Sequence, residues 1–129
     1  MSRRALALAL LLCGALFACP APEPAPLALG GAVDEAALRA QLTPWAAMRQ
    51  AAVGAEVVVE GAVGKVCPAG CWFYLHSADD LVYVDVLGDF TIPQEAQGRR
   101  ALIKARTDGE GGARILQAQR VLLAPSPVK

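Results

Sequence analysis

After Ala55 the apolar residues stop recurring every three or four positions and begin to alternate, which commits the second half of the chain to β-structure. Ala55–Val66 is rich in valine and holds Gly61 and Gly64, and isolated glycines inside a strand mark bulges or sharp bends. Pro68-Ala69-Gly70 has turn chemistry, with proline fixing φ and glycine closing the turn. Cys71–His76 then reads as a second strand, Ser77–Asp80 as a turn and Leu81–Leu87 as a third strand. Ile92–Gly98, with Pro93 and Gly98, leaves room for one helical turn. Arg99–Arg106 and Ala113–Leu123 are the fourth and fifth strands, joined through Asp108-Gly109-Glu110-Gly111-Gly112. Five strands, a bent first strand and a break between the third and fourth predict a mainly β fold. The architecture they fit is a small five-stranded Greek-key barrel of the OB type over residues 55–124.

Ahead of the barrel, residues 34–54 have helical character. Asp34 suits an N-cap and Glu35 the first turn, where a carboxylate meets the positive end of the helix dipole. Leu38, Leu42, Trp45, Met48 and Ala52 form one apolar stripe, interrupted at Thr43-Pro44. Thr43 can cap a second helix with Pro44 in its first position, and Gly54 can end it. The expectation is two short helices, or one kinked helix, lying against the sheet.

The amino terminus carries an address. Arg3 and Arg4, the apolar run Ala5–Leu12 and small residues before Cys19 have the layout of a secretory signal peptide over residues 1–18. Leu16-Phe17-Ala18-Cys19 resembles the lipobox of bacterial lipoproteins, which implies that Cys19 carries diacylglycerol and fatty-acyl (palmitate) chains and begins the mature protein. Phe17 is bulkier than that pattern usually has there. Residues 20–33, rich in Pro, Ala and Gly, read with Cys19 as a flexible tether over 19–33. On this reading the protein is lipid-anchored in the cell envelope and faces the periplasm. Pro20, with no aspartate after Cys19, favours the outer over the inner membrane.

The formal net charge is zero, and losing Arg3 and Arg4 with the leader leaves a slight acidic excess. No Lys or Arg lies between Lys65 and Arg99, whereas the chain beyond Arg99 is basic. The pattern fits two solvated faces of a barrel. A nucleic-acid footprint calls for a net basic domain, so nucleic acid is not expected as a partner.

Strand parity sorts the second and third strands into two faces. Phe73 and Leu75 point with Val82, Val84 and Val86 into a core. Trp72, Tyr74 and His76 share the outer face with Leu81, Tyr83 and Asp85. A turn at 77–80 sets His76 across from Leu81, Tyr74 from Tyr83 and Trp72 from Asp85. Trp72, Tyr74, Tyr83 and Asp85 therefore make a candidate ligand platform on the two strands OB barrels use for binding. The same pattern arises if the N-terminal helices or the chain end cover this face and the aromatics simply pack there.

Cys67 and Cys71 flank a three-residue turn and sit opposite each other in a hairpin, within reach of a disulfide. An exported protein would keep such a bridge. Two sharper alternatives are a soft-metal site for copper or zinc using Cys67, Cys71 and His76, and a reactive dithiol. Parity speaks against the first, since His76 points away from Cys71. Catalysis has little support: with one histidine and no visible base–orienter pair near Ser77, no enzymatic role and no cofactor are expected.

Val66-Cys67-Pro68-Ala69-Gly70-Cys71-Trp72-Phe73, with Asp85-Val86, Asp89-Phe90 and Ile92-Pro93 downstream, resembles an uncharacterised family of exported bacterial domains. Its pattern has a Gly-x-Val strand, here Gly61-Ala62-Val63, a Val-Cys…Gly-Cys-Trp turn, and a glycine before the next strand, here Gly98. The resemblance covers residues 55–106 and implies a small lipoprotein or periplasmic domain with an OB-like fold. It supplies no catalytic residues, and the turn here is one residue shorter than the family's form. The function expected from the sequence is thus a lipid-anchored envelope module binding a small molecule or an envelope protein without catalysis. The alternative is a periplasmic metal or thiol-redox protein.

Overall fold

The computed structural model describes residues 25–86 and 90–125; the predicted signal peptide, Cys19 and the start of the tether lie outside them. The elements run β1 (Leu27–Leu29), α1 (Glu35–Arg39), α2 (Trp45–Gln50), β2 (Glu56–Val66), β3 (Trp72–Ser77), β4 (Asp80–Val86), β5 (Arg100–Asp108) and β6 (Ile115–Leu123). Strands β2 to β6 close a barrel through the pairs β2–β3, β3–β4, β4–β6, β6–β5 and β5–β2. All are antiparallel except β4–β6, which is parallel. That order of strands, with a parallel third and fifth, is the OB topology expected from the sequence. In the break between β4 and β5 stands a 3-10 turn, Gln94–Ala96.

β2 is long because it serves two neighbours. Glu56–Ala62 pairs with β5, while Ala62–Val66 pairs with β3 across a register shift between Val63 and Val66. Gly61 permits the crossover, because a Cβ there would lie 2.5 Å from the His76 carbonyl oxygen. β3 and β4 run closer together than the predicted turn at 77–80 requires. Ser77 pairs with Asp80, so only Ala78 and Asp79 make the turn, and Ala78 takes a positive φ of 49°.

The barrel interior is filled by Phe73 and Leu75 from β3 and Val82, Val84 and Val86 from β4, with Val59, Ile103, Leu116 and Val121 from the other strands. Met48 of α2 and Ile92 are buried against these residues. The helical stripe is divided between two places. Leu38 packs outside the barrel with Val58, Leu102 and Leu122, Met48 enters the core, and Leu42 and Ala52 stay exposed.

Asp34 caps α1 as expected, accepting a hydrogen bond from Ala37 N at 3.2 Å. Thr43 does not cap α2; Pro44 occupies that position without a side-chain bond. Thr43 N donates instead to the Val58 carbonyl at 2.7 Å, and its Oγ1 accepts from Val58 N at 3.4 Å. The physical cause is that β3 pairs only with the far end of β2, so backbone groups on the near end need partners elsewhere.

A second difference lies in the predicted tether. Leu27–Leu29 forms β1, pairing Leu27 with Leu123 and Leu29 with Val121. β4 pairs with β6 only as far as Ala118, which would leave the end of β6 an open edge, and β1 covers it. No helix among the described residues is long and apolar enough to cross a membrane.

Candidate ligand-binding face

The two-residue turn fixes the β3–β4 register, and with it the face. Trp72 stands opposite Asp85, Tyr74 opposite Tyr83 and His76 opposite Leu81, the pairs the alternation predicts. Trp72 and Tyr83 stack with ring centroids 5.7 Å apart and planes inclined by 29°. Tyr74 meets both edge-on, at 5.6 Å from Trp72 and 5.7 Å from Tyr83. Aromatic pairs favour such offset and edge-on arrangements. All three rings and Asp85 are half-buried while His76 is exposed, so the helical lead-in does not cover this face. The interior neighbours Phe73, Leu75 and Val84 are fully buried, as the core side of the same strands requires.

Two arginines that the sequence did not mark shape one end of the platform. Arg49, near the end of α2, pairs with Asp80 through Nη2–Oδ1 at 2.6 Å and Nε–Oδ2 at 3.3 Å, and also donates to the Leu81 carbonyl. Hydrogen bonding to that guanidinium holds the Asp80 carboxyl below the usual range. Asp80 therefore anchors α2 to β4 as well as bounding the turn. Arg114, expected on a solvated basic face, is 5% exposed. Its Nη2 donates to the carbonyls of Arg49 (3.1 Å) and Ala51 (2.5 Å) at the C-terminal end of α2, where a cation suits the helix dipole. Spacing in sequence could not reveal either contact, since the partners of Arg114 lie more than sixty residues earlier. Tyr74, Tyr83 and Asp85 border an open hollow of about 660 Å³, lined also by Arg49, Arg114 and Ile115. Burial, and then the nearby Asp85 carboxylate, push the Tyr83 phenol up.

Cys67 and Cys71 lie at the rim, where β3 begins. Their Sγ atoms are 3.0 Å apart, Cys67 buried and Cys71 exposed. The hairpin thus places the two sulfurs of the disulfide expected from the sequence side by side. The copper or zinc set is not assembled: among the described residues no three His, Cys, Asp or Glu side chains gather into a metal-binding group. His76 lies instead over Gly64, on the outer face, where a Cβ added at Gly64 would strike its imidazole.

No protein-family model and no curated protein matches the chain. Among solved structures it is similar to a chain of the Stn1–Ten1 complex of S. pombe, at 17% identity and a TM-score of 0.49, over 65% of this chain and 75% of that one. It is also similar to the telomere capping protein Ten1 from the same yeast, at 18% identity and a TM-score of 0.47, over 63% of this chain and 77% of that one. Neither match lends support to the envelope expectations drawn from the sequence. The lipid-anchored envelope module, its periplasmic and outer-membrane location, its metal or thiol-redox alternative and the exclusion of nucleic acid are not carried further. The first two rested on residues outside those described, and the last on overall charge alone, which says little about an open aromatic face. At this level of identity the likeness concerns the fold, and the ligands of those proteins are not carried over.

Proposed function

We propose that this chain is an OB-barrel module that binds single-stranded nucleic acid, stacking unpaired bases on Trp72, Tyr74 and Tyr83. The observation that carries the proposal is the half-exposed aromatic trio on β3 and β4, the strands on which OB barrels hold oligonucleotides. Stacking tolerates any base, because every base has a π-face. Asp85 at the platform edge adds an acceptor for the amino groups of a stacked base.

The near-neutral composition sets how such binding must work. Exposed Lys65, near the end of β2, and Arg106, paired in register with Gln117 of β6, are cations within reach of a backbone crossing the platform. Each phosphate neutralised on a single strand contributes about −0.7 to the slope of log K against log salt. Two contacts therefore give a slope near −1.4, shallow for a nucleic-acid binder. Stacking contributes about 1–3 kcal/mol per base, so three bases near the middle of that range, about 6 kcal/mol, give a dissociation constant of roughly tens of micromolar. Titrating the chain with oligo-dT and reading tryptophan fluorescence tests this directly. Saturable quenching that survives moderate salt and is missing with duplex DNA is the expected result. Absence of quenching at millimolar strand would reject the proposal.

A further inference from the structure

Arg114 is anchored through one nitrogen and unanswered at the other two. Its Nη2 holds the carbonyls at the end of α2, while Nε and Nη1 are buried without a hydrogen-bond partner among the described residues. Among those residues it also forms no ion pair, whereas neighbouring Arg49 is matched by Asp80. A buried donor without an acceptor is unfavourable, and one that carries a full positive charge is more so. Together with Arg49, Arg114 borders both the hollow beside Tyr83 and a second one of about 410 Å³. Gly112, on the wall of the first hollow, is exposed, and a Cβ added there would meet nothing within 4 Å. The first hollow also holds the Asp85 carboxylate, set apart from Arg114. Ile115 pairs with Tyr83 across the parallel β4–β6 ladder, so Arg114 and Asp85 are three strand positions apart, about 10 Å along the sheet.

We propose, resting on the reading that the platform holds a single strand, that this hollow receives the strand's terminal nucleotide, with its phosphomonoester on Arg114 and its base against Tyr83. An internal phosphodiester carries one negative charge and is tied to nucleotides on both sides. A terminal phosphomonoester carries about −1.5 to −2 at neutral pH and is free to turn into a recess. Its oxygens supply the acceptors that Nε and Nη1 lack, and the planar guanidinium fork matches them in pairs. Reaching those nitrogens requires the guanidinium to swing toward a hollow it already borders, a side-chain motion. Arg49 adds less, because Asp80 already holds its charge. Asp85 makes the hollow a poor trap for a bare anion. It suits a ligand with negative charge at one end and donors at the other, as a nucleotide has.

The test titrates the full chain with short oligo-dT carrying a 5′-phosphate, a 3′-phosphate or neither, and reads tryptophan fluorescence. At least one phosphorylated strand is expected to bind roughly tenfold tighter than the unmodified one, the scale of a hydrogen bond to a charged group. The end that gains gives the polarity of the strand on the barrel. Because Arg114 also ties down α2, its own replacement is a poor probe, and the charge is better changed at Gly112. Gly112→Glu sets a like charge on the wall of the hollow at a position with room for it, and should remove most of the gain. Gly112→Lys should enlarge it. Equal affinity for all three strands would overturn the proposal and leave the stacking reading intact, whereas quenching by none of them would overturn both. A gain that Gly112→Glu leaves unchanged places the phosphate elsewhere and also rejects the site.

Discussion

Phe73→Ala is expected to cost about 3–5 kcal/mol of folding stability, a large part of what a domain of this size possesses. Phe73 is completely buried, pairs with Val66 on one side and Val84 on the other, and is among the largest side chains in the barrel interior. Strands hydrogen-bonded on both flanks cannot move inward to fill the space it leaves, so the cavity cost adds to the lost transfer energy. Denaturant unfolding should show the midpoint falling sharply at unchanged slope. Tyr74→Ala, one residue along and on the opposite face, should cost far less. Equal losses at the two positions would mean that the outer face is buried core, and the platform would not exist.

The second large effect falls on binding. Trp72→Ala and Tyr83→Ala should each weaken oligo-dT binding by about fivefold to 150-fold, at about 1–3 kcal/mol per stacked base. Because these rings stack on each other at 5.7 Å, they form one surface, and the double variant should lose less than the sum of the single losses. His76→Ala is the natural control: the side chain is exposed on the same strand but belongs to no aromatic pair. Titration of the four proteins at one salt concentration separates the cases. Full affinity in the double variant would remove the platform from any account of what this barrel holds.

The barrel was legible because its determinants are local. Alternation separated Phe73 and Leu75 from Trp72 and Tyr74, and a short turn set which residue of β4 each would face. Gly61 and Gly64 marked the place where β2 bends. What remained hidden was joined across the fold. Leu27–Leu29 reads as part of a linker until the unpaired end of β6 is known, and Arg114 reads as a surface charge until the end of α2 is set beside it. Thr43 follows the same rule, since its capping chemistry is real but is used on β2. The candidate site was visible as residue types and register. Its openness was not, because whether a helix covers a face depends on how α2 docks, and the Arg49–Asp80 pair that holds it there spans thirty-one residues.

The sharing of β2 between two partners has a consequence for how the chain reaches its native state. β3 and β4 are neighbours in sequence and can zip together on the microsecond scale of an isolated hairpin. The N-terminal half of β2 must wait for β5, which arrives only after the whole hairpin and the segment behind it have been laid down. The parallel contact between β4 and β6 comes from equally far away. The aromatic face is therefore built on two strands adjacent in sequence, while the seam that closes the cylinder depends on contacts distant along the chain.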